Sequence, residues 1–149
     1  MLDQLYRQLV MDHAKHRRNH RELKEEGTSY LSYKNPTCGD VMTLYWKMSP
    51  DHIIEEVSFI GEGCSISMAS CSMMTELIKG KKLEEVKKQK EGMEELIKKG
   101  RHPERVDLGD ALALEGVHKL KARHNCALMG WQALGMVIQE YEKKNEMVI

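Results

Sequence analysis

Three cysteines and one aspartate have side chains suited to holding a soft divalent metal. Cys38 and Asp40 lie in Asn35-Pro36-Thr37-Cys38-Gly39-Asp40, Cys64 in Gly61-Glu62-Gly63-Cys64-Ser65, and Cys126 in Arg123-His124-Asn125-Cys126-Ala127. Three thiols and one carboxylate make a complete tetrahedral set. A site that only holds a fold together is usually all thiolate, or thiolate with histidine, often in Cys-x-x-Cys pairs. No cysteine pair here has that spacing. A hard carboxylate among soft thiolates suits a centre that can release a ligand. The remaining cysteine, Cys71, comes seven residues after Cys64, on the same helical face, and reads as a core residue.

Each ligand has a local setting that favours its chemistry. Cys38-Gly39-Asp40 occupies a turn feeding a strand, where Gly39 can take backbone angles closed to other residues. Cys64 stands just before a helix, and Cys126 opens the last one with Asn125 as its expected N-cap. The partial positive charge of a helix N-terminus lowers thiol pKa and favours the metal-binding thiolate. Of the histidines, His13 and His16 are one turn apart and read as surface or capping groups rather than ligands. His124, two residues before Cys126, is either an auxiliary ligand or a solvent-facing residue at the helix entry.

The elements that must position these groups follow from periodicity. Leu2, Leu5, Tyr6, Leu9 and Val10 predict an amphipathic helix from residue 2 to about 16, followed by a polar loop through Gly27. Three extended segments come next: Tyr30–Tyr33, Val41–Met48 and Ile53–Ile60. In the second, Met42, Leu44, Trp46 and Met48 share one face, and Ser49-Pro50-Asp51-His52 is the turn that returns the chain. Small apolar residues after Gly63 predict a buried helix ending at Gly80. Residues 83–99 read as a Lys/Glu-rich helix with Leu83, Val86, Met93, Leu96 and Ile97 inside and a solvated charged face. A short helix around Asp110–Glu115 precedes a terminal helix over 126 to about 143. The expected architecture is α+β: a small three-stranded antiparallel sheet packed on helices, in a single domain over 1–149.

Composition narrows the function classes. The chain has 149 residues, enough for an ordinary core, and its 23 basic and 23 acidic residues cancel. That balance argues against a nucleic-acid-binding surface or a polybasic membrane anchor. No apolar run approaches the roughly 20 residues of a membrane helix, and the N-terminus lacks the features of a secretion signal. A cytoplasmic protein is expected, and in that reducing setting separated cysteines bind metal or react rather than form disulfides.

The cysteine segments, in this order, resemble the IscU/SufU family of iron–sulfur cluster assembly proteins. The likeness runs through Asn35–Asp40, through Gly61–Ser70 and on to Met73-Met74-Thr75-Glu76, and through Arg123-x-x-Cys126. Leu5-Tyr6-Arg7 and Met11-Asp12-His13 extend it to the N-terminus. The scaffold type of that family has a histidine immediately before its third cysteine, where this chain has Asn125. It also has a Leu-Pro-Pro-Val-Lys segment, where this chain has Val117-His118-Lys119-Leu120-Lys121-Ala122. With its long stretch between Gly80 and Cys126, the chain is more similar to the SufU type. Cys71 and the His124–Asn125 pair depart from the usual family residues.

The resemblance implies zinc held by Cys38, Asp40, Cys64 and Cys126, and a SufS-type cysteine desulfurase as partner. Cys38 would leave the metal, displaced by a ligand from the desulfurase, and accept persulfide sulfur for the downstream iron–sulfur assembly machinery. Arg123 would pair with Asp40 or steady a departing thiolate. Two other readings share these residues. One is a scaffold building an iron–sulfur cluster, or holding iron, on Cys38, Cys64 and Cys126; the other is a zinc-stabilised adaptor that only binds partners.

Overall fold

Alternation along Val41–Met48 turns Met42, Leu44 and Trp46 to one side, and all three are buried. The computed structural model describes residues 2–36 and 39–148. It begins with helix α1 (Leu2–Lys15), followed by strands β1 (Ser29–Lys34), β2 (Val41–Met48) and β3 (Ile54–Glu62). The strands form one antiparallel sheet in the order β1-β2-β3, with Leu31 opposite Leu44 and Leu44 opposite Phe59. A bulge between Lys47 and Met48 and a left-handed His52 (φ 63°) shape the β2–β3 turn. There the Ser49 hydroxyl oxygen accepts the amides of Asp51 and Ile53.

Helix α2 (Ser65–Ile78) crosses the inner face of the sheet as the central element. Every residue from Ser67 to Thr75 is buried, which accounts for its small side chains: neighbours press on every face. Ser70 donates to the carbonyl of Ala127 at 2.5 Å, tying α2 to α4 (His124–Val148). A Cβ added at Gly130 of α4 would lie 3.0 Å from the Cys71 sulfur and 3.3 Å from Met74. Cys71 is fully buried, and burial pushes its thiol up to about 12. It is a core residue, as its sequence setting implied.

Between α2 and α4 the chain forms α3 (Leu83–Glu94), a π-helical turn over Glu95–Lys99, a long 3-10 stretch over Gly109–Lys119 and a short one over Lys121–Arg123. The expected inner stripe of Leu83, Val86, Met93, Leu96 and Ile97 is buried throughout. The single helix expected over 83–99 instead widens at Glu95 and stops at left-handed Gly100 (φ 68°). The ending leaves orphan carbonyls, and His118 donates from Nδ1 to one of them, Ile97 O, at 3.0 Å. The last helix starts two residues before the expected position. Because Lys121–Arg123 is already helical and His124 has φ −56° and ψ −45°, Asn125 lies inside the helix and is not its N-cap.

His13, expected as a surface or capping group, is completely buried, whereas His16 is exposed. Its Nδ1 lies 2.8 Å from Ser72 Oγ on α2, and its Nε2 lies 2.9 Å from Asp110 Oδ2 in the 3-10 stretch. Ser72 Oγ also accepts the Arg18 amide at 2.8 Å. A ring protonated at Nε2 satisfies all of these partners at once. His13 therefore ties α1, α2 and the 3-10 stretch together. Replacing it by alanine orphans a buried hydroxyl and opens a void, and His13→Ala is expected to lose about 3 kcal/mol of stability in urea unfolding.

Candidate metal centre

Beyond β1 the chain loops back into β2. Asn35 N donates to Asp40 O at 2.7 Å, and Gly39 N donates to Asn35 O at 3.0 Å. Gly39 has φ 77°, a left-handed angle that few other residues tolerate, so the glycine allows this loop to close. Asp40 is thereby aimed from the start of β2 toward the start of α2. Its Oδ2 accepts the Cys64 amide at 3.3 Å and the Ser67 hydroxyl at 2.9 Å.

Cys64 is the N-cap of α2, with extended backbone angles (φ −72°, ψ 168°). Its sulfur takes the place of the usual capping oxygen, accepting the Ser67 amide at 3.4 Å, with the Ser67 hydroxyl 3.5 Å away. Burial pushes the Cys64 thiol up, but hydrogen bonds from Ser67 and Cys126 outweigh it and leave the pKa below the ordinary thiol value. The helix N-terminus acts in the same direction.

Cys126 lies in the first turn of α4 and is 1% exposed. One carboxylate oxygen of Asp40 and the sulfurs of Cys64 and Cys126 all lie within 4.8 Å of one another. The fourth expected ligand, Cys38, falls outside the described residues, so the convergence concerns the other three. Hard oxygen and soft sulfur at such separations fit a tetrahedral zinc ion, whose bonds to them are about 2.0–2.3 Å.

Arg123 is exposed and stands beside the sulfurs of Cys64 and Cys126. Its pKa is raised by the hydrogen bond to Cys126, by the charges of Cys64 and Cys126, and by a further hydrogen bond to Cys64. His124 is half-buried, and its Nε2 donates to the carbonyl of His118 at 2.8 Å. That bond holds the ring toward the 3-10 stretch, where it lies 6.0 Å from the His118 ring and nearly parallel to it. Neither His13 nor His16 joins the cluster among the described residues.

Two contributors escaped the sequence reading. Ser67 reaches both Cys64 and Asp40 with one side chain; the only signal is its position three residues after an N-cap, where the amide faces back toward the cap. Gly63 matters for what it lacks. A Cβ there would lie 2.9 Å from the Asp40 carboxyl carbon and 2.5 Å from Ser67 Oγ, so only glycine lets strand and helix approach this closely.

Residues 5–148 match the family described as the NifU-like N terminal domain. The chain is 43% identical to the Zinc-dependent sulfurtransferase SufU of Bacillus subtilis, over 97% of this chain and 96% of that protein. It is 38% identical to the Iron-sulfur cluster assembly scaffold protein IscU of Streptococcus pyogenes, over 93% and 85%. Among solved structures it is similar to a putative iron–sulfur cluster assembly scaffold protein for the SUF system from Fervidobacterium islandicum. There the TM-score is 0.78 and the identity 31%, covering 86% of this chain and 92% of that one.

The outer contacts carry measurable consequences. Ser67→Ala and Gly63→Ala are each expected to weaken binding of an added divalent metal such as zinc about tenfold or more in competition with a chromophoric chelator. In chelator-treated protein at pH 7.5, iodoacetamide should modify Cys64 at least ten times faster than Cys71, as read by peptide mass spectrometry.

Proposed function

From its membership of the NifU-like N-terminal domain family, we propose that this chain is a zinc-dependent sulfur-transfer protein that accepts persulfide sulfur on Cys38 from a SufS-type cysteine desulfurase and passes it to iron–sulfur cluster assembly. The convergence of Asp40, Cys64 and Cys126 carries this reading. Cys38 is two residues from Asp40, and each trans peptide spans about 3.8 Å between Cα atoms, so the two Cα atoms are at most about 7.6 Å apart. The similarity to a relative named for zinc-dependent sulfur transfer points the same way. No helix among the described residues is long and apolar enough to cross a membrane.

Zinc would be held by Cys38, Asp40, Cys64 and Cys126, and when bound it would keep sulfur deprotonated at neutral pH without redox chemistry of its own. The transfer is thiolate exchange. The Cys38 sulfur attacks the outer sulfur of the desulfurase persulfide. A new S–S bond forms on Cys38 as the old one breaks, and the desulfurase cysteine leaves as a thiolate that takes up a proton. Nothing is oxidised or reduced overall. Arg123, hydrogen-bonded to Cys126 and Cys64, offsets negative charge gathered at the centre. Ser67 and the Cys64 amide keep Asp40 oriented throughout.

A scaffold that assembles a cluster on Cys38, Cys64 and Cys126 would draw on the same residues, and the relative from Streptococcus pyogenes bears that name. The transfer reading is favoured because the imidazole nearest Cys126 in sequence, His124, has its Nε2 bonded to a backbone carbonyl. Anaerobic purification separates the two: one zinc per chain and a colourless protein are expected, whereas a coloured, iron-bearing protein means a scaffold. Cys38→Ser should abolish transfer of labelled sulfur from cysteine through the desulfurase. Wild-type labelling of that variant would overturn the proposal.

A further inference from the structure

Beside the metal centre, a groove of about 590 Å³ runs between α1 and the 3-10 stretch Gly109–Lys119. Val10, Ile66, Leu114 and Val117 give it an apolar lining. Ile66 is two residues past Cys64, so the groove adjoins the reactive end of α2. Leu120, also in the lining, comes three residues before Arg123 and is 52% exposed, and Leu5, next in sequence to Tyr6 of the lining, is 54% exposed. Large apolar side chains left in water beside a concave apolar surface are a mark of a recognition site.

The charge of the rim indicates what occupies it. Arg7 and Lys119 line the groove and are exposed, and neither has an ion-pair partner among the described residues. The acidic residue of the lining, Glu115, has Oε2 accepting a hydrogen bond from His102 Nε2 at 2.5 Å. Lys121 and Arg123, both exposed, carry the positive strip on to the cysteines. A neutral chain has thus gathered positive charge along the border between the groove and the metal centre.

We infer that this groove docks an apolar side chain flanked by acidic residues on the surface of the sulfur-donating desulfurase, holding the persulfide cysteine over the metal centre. The inference rests on the sulfur-transfer reading for the partner's identity. Apolar anchoring supplies affinity, and the basic rim steers approach and sets orientation. The groove meets the centre at Ile66, so one docking event brings both surfaces into register.

Gly116 provides a clean test. It lines the groove, its φ is not in the left-handed region, and a Cβ built there meets nothing within 4 Å. Gly116→Trp therefore adds bulk at the groove lining with no clash at its Cβ, and Leu120→Glu and Lys119→Glu change the charge of its margin. Binding of purified SufS-type cysteine desulfurase is measured by calorimetry, with zinc content and melting temperature as controls for folding. Each variant is expected to bind at least tenfold more weakly, with affinity falling as salt rises, while Met136→Glu, exposed on α4, binds like wild type. Wild-type affinity in both Gly116→Trp and Leu120→Glu overturns the inference. So does a wild-type dimer in sedimentation that Leu120→Glu dissociates without any change in desulfurase binding, since the occupant is then a second copy. If the groove variants lose binding while Cys38→Ser still accepts sulfur, the groove stands and the transfer route through Cys38 falls.

Discussion

A carboxylate on one element must meet a thiol at the start of another, and the centre depends on how closely the two can approach. Asp40 leads into β2, while Cys64 caps α2, and they come together because Gly63 has no side chain to hold them apart. The contact is reinforced by Ser67, whose hydroxyl reaches both the carboxylate and the sulfur. Chelation asks for negative groups to be held near one another before the ion arrives, which is costly in charge repulsion. The α2 N-terminus, the amides of Cys64 and Ser67 and the Arg123 guanidinium all act against that cost.

The rest of the fold serves this approach by making α2 immovable. The helix is buried on nearly all sides, its small residues admitting α4 at Gly130 and Ser70. His13 locks its middle to α1 and to the 3-10 stretch. A side chain held by buried hydrogen bonds at both ring nitrogens gives a rigid junction, since breaking either leaves a polar group stranded. His118 and His124 fasten the same 3-10 stretch to the π-helical turn on one side and to α4 on the other. The cysteine-bearing ends of α2 and α4 are therefore anchored to one another through the insert as well as directly.

Much of this arrangement was legible in the amino-acid order. Strand alternation in Val41–Met48 is a period-two signal strong enough to give both the strand and its inner face. The stripe from Leu83 to Ile97 likewise marked a buried face amid lysine and glutamate. What the order did not reveal was where helices begin and how they end. Asn125 has the chemistry of a cap, but the short 3-10 turn before it was already helical, so the chain had no cap position left there. His13 looked like a surface residue because its partners are 59 and 97 positions away.

Residue type and local pattern decided by themselves that this chain has oxygen and sulfur donors suited to zinc, a small antiparallel sheet and a central helix of small side chains. These properties depend on side-chain chemistry and on neighbours a few positions apart, which a linear order states directly. Tertiary structure alone decided that Arg123 faces the sulfurs, that Ser67 bridges Asp40 and Cys64, that Gly63 is needed for its emptiness and that α1 and the 3-10 stretch leave a basic-rimmed groove open. Each of those depends on distances between segments far apart in the chain, and only packing determines them.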